Sequence, residues 1–151
     1  LELELAWRAM KGLSFWGNAS FNHGRYKSCS TAATVTCSII NNKLPVFPNH
    51  TFTLGFDFDT RVGAGKVKFG ADYSRRGDYF STADNVLIGA VPQQKFLNAY
   101  TGYDLGDWSF QLAGKNLLQQ KGWQTGFGFA VVQPRFAIEP RTVQVSAKYR
   151  F

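Results

Sequence analysis

Large apolar and polar side chains alternate over most of this chain. The period is two, which is the mark of a β-strand with two unlike faces. About seven stretches carry it: residues 1–8, 13–23, 50–59, 65–75, 96–105, 108–117 and 141–151. One face collects Leu3, Leu5 and Trp7, then Leu13, Phe15 and Phe21, then Phe52, Leu54, Phe56 and Phe58. It continues through Val67, Phe69, Tyr73, Leu97, Tyr103, Leu105, Trp108, Phe110 and Leu112 to Val143, Val145, Tyr149 and Phe151. The other face carries Glu2, Glu4, Asp57, Lys66, Lys68, Asp72, Asn98, Lys115, Lys148 and Arg150. No stretch reads better as a helix, and none approaches the roughly 20 apolar residues of a membrane-spanning one.

Two-faced strands fit a soluble antiparallel sandwich as well as a membrane barrel. The connections separate the two. Residues 9–12, 60–64 and 106–107 are short and contain glycine, whereas 24–49, 76–95 and 118–140 are long. Strict alternation of short turns and long loops is the habit of transmembrane barrels, whose periplasmic turns are short and external loops long. The aromatics agree with it. Trp7, Phe15, Phe58, Phe69, Tyr103, Trp108, Tyr149 and Phe151 lie close to the short-turn end, where rings meeting lipid headgroups form a band. The fold expected is all-β, an antiparallel transmembrane β-barrel, with the apolar face toward lipid and the polar face toward a wet lumen.

Composition sharpens this picture. Of 151 residues, 16% are aromatic and only 18% charged, a mixture that suits strands. The net charge of +7 raises nucleic-acid binding. The cations are scattered singly rather than gathered into a patch, so no nucleic-acid partner is expected. Catalytic motifs are missing too. GAGKVKFG (63–70) has Val67 where a phosphate loop needs Ser or Thr, and reads as a turn entering a strand. His23 and His50 have no triad or zinc spacing, and Asp57 with Asp59 reads as wet wall carboxylates rather than an acid–base pair. Neither an enzyme activity nor a cofactor is expected.

Four stretches resemble, in order, the C-terminal barrel of TonB-dependent outer-membrane receptors: LELELAWRAMKGLSF (1–15), NNKLPVFPNHTFTLG (41–55), FLNAYTGYDLGDWSFQLAGKNLL (96–118) and EPRTVQVSAKYRF (139–151). The resemblance implies that residues 1–151 form the C-terminal part of such a barrel, with the plug, the TonB-contacting segment and the upstream strands elsewhere. Two features fit that expectation. About seven strands is an odd number where single-chain barrels close with an even one, and Leu1 opens directly on a strand. The intact receptor would bind a scarce nutrient outside the cell, such as a ferric siderophore, a cobalamin or a glycan. It would import it with TonB-derived energy. Tyr149 and Phe151 would belong to the signal read by the barrel assembly machinery.

Further expectations attach to the long loops. Cys29 and Cys37 are the only cysteines, and both fall in 24–49, which would face the oxidising exterior. A bridge between them is expected, worth roughly 2–3 kcal/mol in the chain-entropy model. Two free thiols, or a metal site drawing on His23 and His50, are the alternatives. NVLIGAV (85–91) and GWQTGFGFAVV (122–132) are too apolar for plain linkers. They read as strand extensions above the membrane or as ligand-contacting segments, with Tyr26, Tyr79, Phe80, Trp123, Phe127 and Phe129 as candidate contacts. Two rival functions remain: a passive porin-type barrel, and a soluble carbohydrate-binding β-domain with Phe52, Leu54, Phe56 and Phe58 turned inward.

Overall fold

The computed structural model describes residues 1–28, 38–126 and 134–151. Eleven strands appear among them in chain order. These are β1 (Glu2–Met10), β2 (Leu13–Phe21), β3 (His50–Val62), β4 (Gly65–Arg76), β5 (Tyr79–Phe80), β6 (Ala90–Val91), β7 (Gln94–Leu105), β8 (Trp108–Lys115), β9 (Trp123–Gly126), β10 (Arg135–Ala137) and β11 (Thr142–Tyr149). Seven of them build one sheet in the order β1-β2-β3-β4-β7-β8-β11, antiparallel at every junction. The sheet is open, with β1 and β11 as its edges.

Register keeps the two faces separate across the whole wall. Trp7 pairs with Phe15, Phe15 with Phe56, Phe58 with Phe69, Val67 with Tyr103, Tyr103 with Phe110 and Trp108 with Tyr149. The alternate rows pair Ser14 with Asp57, Asp59 with Lys68, Asp72 with Asn98 and Lys148 with Ser109. A one-residue slip at any junction would mix the rows, so the side-chain pattern itself fixes the pairing.

The apolar face has no second layer over it. Even in inner strands Leu54 is 43% and Leu112 46% exposed, and the buried apolar side chains among the described residues are Tyr79, Val91 and Ile138, none of them in the wall. A sealed core built from Phe52, Leu54, Phe56 and Phe58, as in the soluble-domain reading, is therefore not what this chain forms. So broad an apolar surface needs a non-aqueous neighbour.

The turns are tighter than the sequence suggested. β3 continues to Val62 and β4 starts at Gly65, leaving two residues where five were expected. Cross-strand pairing explains the extension, because Asp59 of β3 meets Lys66 of β4 at 2.6 Å. The β1–β2 turn rests on Gly12, whose φ of +82° suits glycine; a Cβ there would lie 2.0 Å from the Asp59 carbonyl oxygen.

NVLIGAV and the described part of GWQTGFGFAVV, residues 122–126, do not extend the wall strands. Residues 87–89 form a 3₁₀ turn, β6 pairs with β5, and β9 pairs with β10 as separate two-stranded sheets. Segments of two to four paired residues are too short for periodicity to reveal.

A polar wall beneath interlocked loops: candidate binding face

Asp57 sits at the centre of the polar face. Its carboxylate accepts the Trp16 indole N–H at 2.9 Å and the Tyr100 hydroxyl at 2.6 Å, so residues from β2, β3 and β7 meet at one group. Trp16 can lie flat there because Gly55 is beneath it; a Cβ on Gly55 would stand 2.5 Å from the indole ring. Further toward the loops, Asp72 accepts from Asn98 Nδ2 at 2.9 Å, and Asn98 Oδ1 accepts the Asn116 backbone N–H at 3.0 Å. Toward the short turns, Asp59 pairs with Lys66, and Asp104 takes both Lys68 and the Ser109 hydroxyl. Asp57 and Asp59 therefore serve different neighbours.

The residues expected on the polar face fall there by register: Asp57, Lys66, Lys68, Asp72, Asn98, Lys115 and Lys148 occupy its rows. Arg150 lies just past β11, its backbone N–H held by the Asp107 carbonyl at 3.0 Å. Trp16 and Tyr100 were not anticipated as partners of Asp57. The available signal was Trp16 itself, a large ring out of phase in LSFWGNASF.

Three long connections leave the wall at the same end, and their described parts are tied to one another chiefly through backbone carbonyls. Asn85 of the second accepts the Lys43 N–H at 2.7 Å and donates to the Lys43 carbonyl at 3.0 Å, clasping the first. Asn42 donates to the Ala83 carbonyl at 2.9 Å, and Val46 N–H to the Phe80 carbonyl at 2.7 Å. The third joins through Trp123, whose indole N–H donates to the Ala90 carbonyl at 2.9 Å, and through Ser81 donating to the Gly126 carbonyl. Asn116 is buried, with a φ of +50°, and its amide donates to Gln120 and Glu139 carbonyls at 3.0 and 2.8 Å. Asparagine tolerates that backbone and supplies the donors, which is why it stands at this corner.

Beneath the third loop, on the polar face, is a cleft of about 360 Å³. Arg76, Gln94, Lys115, Asn116, Gln124 and Glu139 supply its polar lining, with Phe96 and Ile138 among its apolar walls. Neither Arg76 nor Lys115 takes part in an ion pair among the described residues.

The candidate contact residues separate on this geometry. Tyr79 is 3% exposed and its hydroxyl donates to the Gln124 carbonyl, so it is a strut inside the loop cluster rather than a free contact. Trp123 is half-buried with the Arg135 guanidinium 4.1 Å over its ring, and Phe80 has the Lys43 ammonium 6.0 Å away. Tyr26 is tied to residues 41 and 42 through its backbone. Phe127 and Phe129, like Cys29 and Cys37 with their expected bridge, lie outside the described residues.

A family model described as TonB dependent receptor-like, beta-barrel matches residues 1–117. The chain belongs to that family. Its fold is similar to the crystal structure of the ferric yersiniabactin uptake receptor FyuA from Yersinia pestis, with a TM-score of 0.86 at 16% sequence identity. The match covers 99% of this chain and 23% of that one, so the chain spans about a quarter of the length of that receptor. No curated protein matches the chain.

The family resides in the outer membrane of bacteria and is one of receptors rather than enzymes. The seven-stranded sheet is accordingly a piece of transmembrane barrel wall, its strands long enough to cross a bilayer at a tilt. Its ring ladders, Trp7 on Phe15 at 5.6 Å and Trp108 on Tyr149 at 4.9 Å, gather toward the short turns as an interfacial band would.

One tie between the loops depends on pH. Lys43 Nζ lies 2.9 Å from an Asp78 carboxylate oxygen, and that hydrogen bond holds the Asp78 pKa below its ordinary value against a smaller opposing effect of burial. A depressed carboxyl pKa means the tie is present above the unfolded value and lost as pH falls through the folded one. Lowering the pH from about 6 through the folded value of Asp78 should therefore weaken the protection of the Val46 amide, its exchange being taken relative to that of an unprotected amide at the same pH. Asp78→Asn should show the faster exchange already at the higher pH, and equal exchange in the two proteins there would remove the tie from the picture.

Proposed function

We propose that this chain is the C-terminal part of the barrel of an outer-membrane receptor that captures a scarce nutrient outside the cell and imports it with energy delivered through TonB. Its ligand would be a ferric siderophore, a cobalamin or a glycan. One observation carries the reading: the described parts of three long loops are bonded to one another, and a cleft on the polar face opens where the third of them meets the wall. A passive pore has no need of external loops held to one another at so many points. The family membership and the likeness to a ferric siderophore receptor support the same reading.

In this reading the polar face, with Asp57, Asp72, Asn98, Lys115, Lys148 and Arg150, lines the lumen and meets the plug. Phe96 is the aromatic that lines the cleft, Trp123 and Phe80 remain the loop candidates above the wall, and Arg76 with Lys115 would attract the anionic groups of the ligand. The test is saturable binding of representative ferric siderophores, cobalamin and oligosaccharides to the full-length receptor, followed by tryptophan fluorescence. One class should bind, and Arg76→Ala with Lys115→Ala should weaken it by about tenfold or more, the loss of at least one charge-assisted bond. Steady conductance in a planar bilayer with no saturable ligand would replace this reading with the porin one.

Tyr149 and Phe151, whose rings meet at 5.2 Å beyond Trp108, are proposed as the segment the assembly machinery reads. Deleting Phe151 from the full receptor should reduce its outer-membrane level severalfold while synthesis is unchanged. Normal levels would leave these rings a packing role alone.

A further inference from the structure

The apolar face does not remain apolar up to the loops. One row beyond the Tyr73–Leu97 pair, Arg75 of β4 stands directly opposite Lys95 of β7. By alternation both belong to the face of Phe69, Tyr73 and Leu97, and both are exposed. Like charges opposed across an antiparallel pair repel. Nothing in the described residues relieves this pair. Arg75 donates to the neutral Gln93 Oε1 at 2.7 Å, and neither cation joins an ion pair. The Lys95 backbone N–H is taken by Gln120 Oε1 at 3.1 Å, which anchors the strand and leaves the ammonium to outside partners. On the other face of the same strand β4, Lys66 and Lys68 each have an aspartate.

Height along the wall gives the pair its neighbour. From Leu105 at the short turn back to Lys95 is about ten residues, or about 33 Å of strand. At the usual tilt of about 40° that is about 25 Å of height, the thickness of the apolar band on an outer-membrane barrel. The cations thus stand where acyl chains give way to headgroups on the loop side. Phe52 and Tyr73, with rings 6.5 Å apart, lie beside and just below them, as interfacial aromatics do. Arg supplies a planar fork and Lys a point charge, and together they suit an oxygen-rich dianion that would also cancel their repulsion.

We infer that Arg75 and Lys95 form a clamp for the phosphate of a phosphorylated lipid in the outer leaflet. The inference rests on the apolar face meeting lipid with the loops outside, and is independent of which nutrient the receptor takes.

The test uses the full-length receptor in neutral detergent, with native mass spectrometry counting bound lipid. The probes are a diacyl lipid bearing a phosphate monoester and the diacylglycerol of the same chains. The phosphorylated lipid should bind and the diacylglycerol should not. Arg75→Gln with Lys95→Gln should weaken the former by about tenfold or more, whereas Arg75→Lys with Lys95→Arg should retain it. Equal binding of the two lipids, or a folded double glutamine variant that binds as before, would overturn the clamp. Displacement of the lipid by inorganic phosphate at matching concentration would assign the site to a free anion and overturn the lipid. If the double variant does not fold, the two-lipid comparison on the unaltered receptor decides. Nutrient binding measured alongside is expected to be unchanged in every variant, so failure of the clamp and failure of the receptor reading are separately visible.

Discussion

Phe56→Arg is expected to destabilise the barrel by about 2–4 kcal/mol, the cost of an arginine facing lipid near the middle of the membrane. Phe56 is the midpoint of β3, and its ring packs between Phe15 at 6.2 Å and Phe69 at 6.1 Å. The substitution therefore removes ring contacts as well as placing a charge among acyl chains. Thr53→Arg, three residues away on the opposite face, should change stability by less than about 0.5 kcal/mol, since its side chain meets the polar rows. Reversible denaturant unfolding of the full receptor in lipid vesicles measures both. Equal effects at the two positions would mean that the faces are not distinguished by lipid.

Gly12→Val is the second large effect. A β-branched residue at a φ of +82° carries about 1–3 kcal/mol of backbone strain by itself. The new Cβ would also press on the Asp59 carbonyl oxygen at 2.0 Å, which is backbone and cannot swing aside as a side chain would. At the same point Asp59 N–H donates to the Gly12 carbonyl at 2.8 Å, so relieving the clash breaks a bond between the first hairpin and β3. A loss of about 3 kcal/mol or more is expected in the same unfolding measurement. Gly63→Ala offers the comparison, because that turn glycine has a similar backbone but open space around it, and should cost only the strain. If Gly12→Val were no worse than Gly63→Ala, the close approach to β3 would have no energetic weight.

The wall was legible in the sequence for a simple reason. Its strands are committed on both faces, so alternation runs for about seven residues at a stretch and fixes register, as Phe52 to Phe58 and Val143 to Tyr149 illustrate. Trp16, Phe96 and Tyr100 are the large rings that sit on the polar side, and they mark the places where that side does something specific: two hold Asp57, and Phe96 lines the cleft. The loops were opaque because their order comes from single asparagine, serine and tryptophan side chains reaching backbone carbonyls far along the chain, as Asn85 does to Lys43 and Trp123 to Ala90. Such ties leave no period. Tyr79 shows the consequence, since an aromatic in a long loop reads equally well as a ligand contact or as an internal strut.

The facing of the wall can be measured directly along β3. Single spin labels placed from Thr51 to Phe58 in the full receptor, in vesicles and with Cys29 and Cys37 replaced by serine, report collision with oxygen and with a water-soluble nickel complex. Labels at residues 52, 54, 56 and 58 should collide mainly with oxygen and those at 51, 53 and 57 mainly with nickel, with position 55 left as the glycine that seats Trp16. Accessibility that does not alternate, or alternates with the opposite phase, would contradict the placement of the phenylalanine rows against lipid.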